Sequence, residues 1–437
     1  MPDAQVVDVA IIGLGSAGEA LAEDLTGRGL DVVGFDPGRV GGECPFTACM
    51  PSKSLLHDAA VGASWEQARS HRDEVIEHLD DGSHVAALEQ AGVTVVRGAA
   101  SLAGEGVVEA DGRRWQARHV VLATGSSPVV PPVDGLGDVP WLSSADLLVA
   151  DELPASLVIL GGGAIGCEVA TIMAGFGRPV TIIENGRLLG GSVDPAVDEQ
   201  LAARLREAGV DVRTDTELGS VTAVAGGIRS IAAGDSIDAA AILVATGQSP
   251  NWSQLGLDGV GVGQEPDVDV DDYRVGGLEW LRAIGDLNGT SPWTHGANHE
   301  AQRLARLLSG DDPGPRTDRM ASCVFTDPPV AMVGLTAESA REAGHDVVVG
   351  TSRYSDIARH STDGLEDGIV VVVTDRRSHE LLGCSGTGAR FDDVIGVVAA
   401  LQHCGATVHH AAELVLPFPT IAQVLTPAFR AAVDEMG

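Results

Sequence analysis

The sequence predicts an α/β fold of two tandem Rossmann-like units followed by a smaller α+β domain. Three observations predict it. A short apolar run leads into a G-x-G-x-x-G turn at residues 7–18 and again at 157–166. Each turn opens an Ala-rich helical stretch and is followed by a second apolar run ending in an acid, Asp36 in one copy and Glu184 in the other. Further on, Ala123-Thr124-Gly125 is echoed by Ala245-Thr246-Gly247, and both continue to Ser-Pro.

Taken in order, residues 7–12 and 32–36 are short and mostly apolar, with Asp8 in the first and Asp36 closing the second, the pattern of strands buried on both faces of a parallel sheet. Gly13, Gly15 and Gly18 lie between them. Such glycines allow a tight turn and let backbone N–H groups approach a pyrophosphate, whose charge the helix N-terminus favours. Asp36 then accepts from a ribose hydroxyl. Residues 157–160, Gly161, Gly163, Gly166, residues 180–183 and Glu184 repeat the whole set, so both copies meet the context that a lone fingerprint lacks. The stretch from Gly13 to Gly125 is longer than that from Gly161 to Gly247, and the extra residues include two cysteines. From about residue 316 the pattern changes. Strand-like runs at 368–374 and 381–383 and a helix over 392–404 carry no glycine fingerprint.

Composition narrows the function. The 437 residues hold 28 basic and 62 acidic side chains, a net charge of −34. That surface repels phosphate backbones and anionic headgroups, which argues against nucleic acid or membrane as partner. No apolar run reaches the roughly 18–20 residues of a membrane span. The first residues lack a basic segment, so no signal peptide is expected. Six cysteines in a chain this long are not a secreted disulfide framework, and a cytoplasmic location is expected.

Residues 41–53, Gly-Gly-Glu-Cys-Pro-Phe-Thr-Ala-Cys-Met-Pro-Ser-Lys, carry the chemistry. On a regular helix Cys44 and Cys49 would sit about 140° apart, beyond disulfide reach. Pro45 and Pro51 favour an irregular first turn that could bring the sulfurs together. Lys53 is the only lysine in a chain otherwise converted to arginine. A compact ammonium there can pair with a buried carboxylate beside a redox ring in a way that a guanidinium cannot.

On these residues the chain resembles the pyridine nucleotide–disulfide oxidoreductases, the flavoprotein family of dihydrolipoamide dehydrogenase, glutathione reductase and mercuric reductase. The resemblance implies FAD at Gly13, Gly15, Gly18, Asp36, Gly42, Thr124, Gly125 and Asp286. It implies the nicotinamide nucleotide at Gly161, Gly163, Gly166, Glu184 and Gly247. Cys44 becomes the interchange thiol, Cys49 the thiol against the flavin, and Lys53 and Glu168 an ion pair near flavin N5. Residues 1–149 with 268–315 would form the FAD domain, 150–267 the NAD(P) domain, and 316–437 the interface of a homodimer. Glu184 favours a 2′-hydroxyl over a 2′-phosphate and hence NADH over NADPH, although Arg187 lies close in sequence. Ala164 stands where an aromatic often gates the nicotinamide pocket.

One part of the pattern is missing. Where relatives that reduce disulfides carry a His-Pro-Thr stretch and a later Glu, this chain has Phe418 and Gln423, neither able to carry a proton. The C-terminal cysteine pair of mercuric reductases is missing too. The expected reaction is therefore electron transfer from NADH through FAD and the Cys44–Cys49 pair to a small acceptor, an unusual disulfide or a quinone. Two alternatives stand beside it: direct NADH:quinone or oxygen reduction by the flavin, and a nucleotide-binding regulatory protein without turnover. His295, His299 and Glu300 read as helix packing and not as metal ligands, so no metal is expected. His403, His409 and His410 are candidate substitute bases. Cys167, Cys323, Cys384 and Cys404 read as core or surface thiols.

Overall fold

A computed structural model describes residues 4–290, 292–316 and 319–437. The chain divides into two compact units.

The first unit comprises Met1–Pro51, Ser70–Val129 and Gln248–Arg316. β1 (Gln5–Ile12) pairs in parallel with β2 (Val32–Asp36) on one side and with the strand Arg113–Leu122 on the other. Thr94–Arg97 extends the sheet beyond β2, and Leu281–Ala283 pairs in parallel with Arg113–Leu122. The antiparallel strands Val107–Ala110 and Ala100–Gly104 complete it. Alternate β1 residues enter two cores: Val9 and Ile11 pack with α1 (Ser16–Gly27) and the helix Thr294–Leu308, while Ala10 and Ile12 pack with Phe35, Trp115 and Trp252. Burial on both faces explains the apolar run from Val9 to Ile12. The extra length of the first copy lies between β2 and Thr94–Arg97. It forms α2 (Glu43–Phe46), α3 (Cys49–Ala60) and the helices Trp65–Val75 and Gly82–Ala91.

The second unit comprises Ser52–Arg69, Val130–Gly247 and Thr317–Gly437. Its parallel sheet runs Asp211–Arg213, Val180–Ile183, Leu157–Leu160, Ala241–Val244, Trp141–Leu142. An antiparallel sheet runs Ser322–Val324, Val330–Gly334, Leu381–Thr387, Ile369–Asp375, Val347–Arg353. One core joins the two sheets, with Ile159, Met173 and Leu201 against Val330, Met332 and Val371. Helices Phe391–His403 and Leu425–Met436 cover the other face of the antiparallel sheet. The strand expected over 381–383 continues to Thr387, because Gly383 and Gly386 leave room for Leu335 and the Phe391 ring to lie against the backbone.

Spatial compactness groups three segments differently from the division by nucleotide. Residues 130–149 join the second unit, where Trp141–Leu142 pairs with Ala241–Val244. Residues 52–69 join the second unit because Leu55 and Leu56 pack with Ala68, Leu148 and Ile172. Residues 248–267 join the first unit, where Gln248–Pro250 pairs with Ser126–Pro128 and Trp252, Leu255 and Leu257 enter the core.

Candidate functional site

The glycine turns are built alike in both units. Gly15 caps α1 and Gly163 caps the helix Ala164–Gly175, and neither cap spends a side chain on the first-turn N–H groups. By contrast, the helices Ser144–Leu148, Ala337–Glu342 and Val408–Ala412 each have a capping box. Gly18 and Gly166 are required by close approach: a Cβ on either would stand 2.0 Å from the carbonyl oxygen of Gly13 or Gly161. The acids are wired identically. Asp36 accepts from the N–H of Leu14 (2.8 Å) and of Gly38 (2.7 Å), and Glu184 from that of Gly162 (2.7 Å) and of Gly186 (2.9 Å). Each carboxylate is thus held at its glycine turn with lone pairs left over for a ribose. Two uncapped helix N-termini, each with a fixed acid, fit two dinucleotides. Gly13 and Gly161 follow their strands with φ of 98° and 110°. In Arg187, a guanidinium nitrogen lies 2.9 Å from Glu338.

Asp286 lies in the first unit on the turn Gly285–Asn288 and accepts from Ser126 Oγ at 3.0 Å. Burial raises its carboxyl above the usual range. Thr124 and Gly125 are tied to Asn251: Thr124 Oγ1 donates to its carbonyl, Asn251 Nδ2 to that of Thr124, and Asn251 N–H to that of Gly125. Gly247 follows the equivalent strand of the second unit with φ of 114°.

The cysteine stretch docks on the first glycine turn. Gly41 N–H donates to Leu14 O, and Gly42 (φ 73°) passes so close that a Cβ there would lie 2.7 Å from Gly15 Cα. The helix breaks after Phe46, where Thr47 leaves helical geometry (φ −133°, ψ 2°), and restarts at Cys49. Cys44 therefore lies in α2, while Cys49 is the first residue of α3, where the helix macrodipole favours a thiolate. Thr294 Oγ1 stands 3.2 Å from Cys44 Sγ and 3.5 Å from Cys49 Sγ, so one hydroxyl touches both sulfurs. The local spacing does not reveal this threonine, which comes from a helix far along the chain. Burial raises Glu43, beside the pair, with help from the negative charges of Asp286 and Cys49.

In the second unit Glu168, 8% exposed, receives Lys53 Nζ at 3.0 and 2.8 Å, Ser52 Oγ at 3.3 Å and the Phe325 N–H at 3.1 Å. The ammonium also lies 4.7 Å from the centre of the Phe325 ring, a cation–π contact.

The other candidates are placed apart. Glu300 accepts from Gly285 N–H, Asn288 Nδ2 and Thr290 Oγ1, so its oxygens brace the Asp286 turn. Burial lowers His299 below the ordinary imidazole range, and the His295 ring stacks on Trp293. The His410 ring closes the cap of its own helix with Thr407, and His409 packs against His379. Cys167 and Cys384 are buried with thiols pushed up by burial, Cys323 is raised to about 11, and Cys404 is exposed. Phe418 is 74% exposed, and Gln423 Oε1 accepts from Thr420 N–H as a local cap. Among the described residues no helix is long and apolar enough to cross a membrane.

Comparison with known proteins gives the family and the fold. The family model described as pyridine nucleotide-disulphide oxidoreductase matches residues 7–301, and that of the family's dimerisation domain matches residues 320–429. The dihydrolipoyl dehydrogenase of Bacillus subtilis is 31% identical over 97% of this chain and 98% of its own. The glutathione reductase of Burkholderia cepacia is 29% identical over 95% and 97%. The solved structure of the HOCl-induced flavoprotein disulfide reductase RclA from Escherichia coli superposes with a TM-score of 0.88 at 26% identity, covering 97% of this chain and 99% of that one. The chain belongs to the pyridine nucleotide–disulphide oxidoreductase family, with two Rossmann-like domains and a dimerisation domain.

Proposed function

We propose that this oxidoreductase takes electrons from NADH and delivers them through FAD and a Cys44–Cys49 pair to a small acceptor. Residues 1–149 with 268–315 are assigned to FAD, 150–267 to the nicotinamide nucleotide and 316–437 to a homodimer interface. The observation that carries the reading is the single hydroxyl of Thr294 against both sulfurs, at the start of α3. Bound FAD supplies the two-electron exchange between nicotinamide and dithiol. The chain's own part is to hold pyrophosphate at the N-terminus of α1, ribose at Asp36 and the ribityl chain at Asp286. Cys49, at a helix N-terminus, is the thiol poised as thiolate, and Cys44 is the one that meets the acceptor. Lys53, fixed by Glu168, is the cation assigned to the flavin's edge. Glu184 supports NADH over NADPH, since its carboxylate repels a 2′-phosphate.

Reductive titration tests the reading. The purified protein should be yellow and take up four electrons per flavin, two beyond the flavin itself, with NADH or dithionite. A stoichiometry of two would refute the redox pair. A second reading, direct quinone reduction by the flavin, is favoured by Phe418, which presents an apolar ring where relatives carry a base. In that case Cys44→Ser leaves quinone turnover nearly unchanged. Under the main reading it abolishes turnover with disulfides.

A further inference from the structure

The absence of a proton carrier at 418 and 423 raises the question of what serves Cys44 instead. In the first unit Cys44 lines a cleft of about 330 Å³ together with Glu19, Glu23, His84 and Asn298. His84 Nδ1 lies 2.7 Å from Glu19 Oε1, and both side chains are only partly exposed, 24% and 19%. This is a His–carboxylate dyad: the Glu fixes ring orientation and tautomer and leaves Nε2 to act. The surroundings hold it in place. Helix Gly82–Ala91 carries His84 against α1, which carries Glu19, and the Phe46 ring, two residues after Cys44, packs edge-on at 5.3 Å. Gly41 leaves the ring its space, since a Cβ there would meet His84 Nδ1 at 2.9 Å.

We propose that His84, oriented by Glu19, is the acid–base residue of the Cys44 cleft, and that this acid-lined cleft takes an uncharged or cationic disulfide. The inference rests on the Cys44–Cys49 reading above. In the step, Cys44 thiolate attacks one sulfur of the disulfide R–S–S–R′. A Cys44–S–R bond forms, the S–S bond breaks, and R′S⁻ leaves with the proton of imidazolium Nε2. Cys49 thiolate then attacks Cys44 Sγ, re-forming the internal disulfide and releasing RS⁻, which takes up a second proton. NADH supplies the electron pair, so that NADH, one proton and the disulfide yield NAD⁺ and two thiols. The dyad thereby supplies the group that Phe418 and Gln423 cannot provide. Glu19 and Glu23 on α1 line the cleft, and none of the residues that line it is Arg or Lys. A dianionic disulfide is repelled there.

The test uses cystamine (cationic), bis(2-hydroxyethyl) disulfide (neutral) and dithiodiglycolate (dianionic) as probes, with NADH as donor. The wild type should prefer the first two over the third by at least about tenfold, an advantage that salt reduces. His84→Gln should lower kcat/KM for cystamine by about 10²–10⁴ while electron uptake per flavin stays at the wild-type value. Glu19→Gln should lower kcat for cystamine by about tenfold or more with little change in KM, because the ring loses the carboxylate that fixes its orientation and tautomer. This second variant decides the matter if His84→Gln fails to fold. Four-electron uptake with cystamine turnover untouched by both variants would overturn the dyad, as would a preference for dithiodiglycolate the substrate class. Two-electron uptake by the wild type would instead overturn the underlying reading.

Discussion

Replacing Lys53 with methionine should cost the second unit about 1–3 kcal/mol. Glu168 is buried, and Lys53 gives it two of its four contacts, at 3.0 and 2.8 Å. Once the ammonium goes, the carboxylate keeps only Ser52 Oγ at 3.3 Å and the Phe325 N–H at 3.1 Å. Breaking a fully buried pair from one side costs roughly 3–5 kcal/mol, whereas an exposed pair is worth about 0.2–1. The Lys53 side chain is 35% exposed, so water screens part of the loss and the value falls between. At roughly 2–4 °C per kcal/mol for a unit of this size, the unfolding midpoint should fall by about 2–12 °C. Scanning calorimetry on the wild type, Lys53→Met, Glu168→Leu and the double variant completes the cycle. The double variant should lose less than the two single losses together, since it leaves no unpaired charge in the interior. A Lys53→Met midpoint within about 1 °C of wild type, or strictly additive losses, would refute the reasoning.

Gly18→Ala should abolish flavin retention, because its Cβ cannot stand 2.0 Å from Gly13 O; a full flavin absorbance per protein chain would contradict this. Glu184→Ala should narrow the preference for NADH, and the ratio of kcat/KM values for NADH and NADPH reads it directly. An unchanged ratio would show that the acid does not select the cofactor. Asp375 is held well below the usual carboxylate range by the N–H of Ser378, by His345 and by the N–H of Arg377. With its folded-state pKa depressed, its contribution is present at neutral pH and lost as pH falls through that value. Asp375→Asn should therefore lower the unfolding midpoint at pH 7, with the gap closing below about pH 4. A gap independent of pH would contradict the assignment.

The sequence by itself determined the tandem architecture, the two glycine turns and their acids, and the segment that holds Cys44 and Cys49. These are legible because each is a short-range steric requirement. Gly18 and Gly166 admit no side chain, and strands buried on both faces must be apolar throughout. The C-terminal domain, lacking such constraints, was legible only as strands and a helix, and the strand ending at Thr387 ran past its expected limit. Lys53 stood out as the lone lysine, but its partner Glu168 came from the family resemblance and not from spacing. Tertiary structure alone decided the rest. The break at Thr47 puts Cys44 and Cys49 on separate helices, and Thr294 reaches both sulfurs from the helix Thr294–Leu308. His84 meets Glu19 only because two helices distant in sequence pack side by side. Contacts of this kind leave no periodicity in the chain, since a hydrogen bond between distant residues depends on how whole elements pack and not on local spacing.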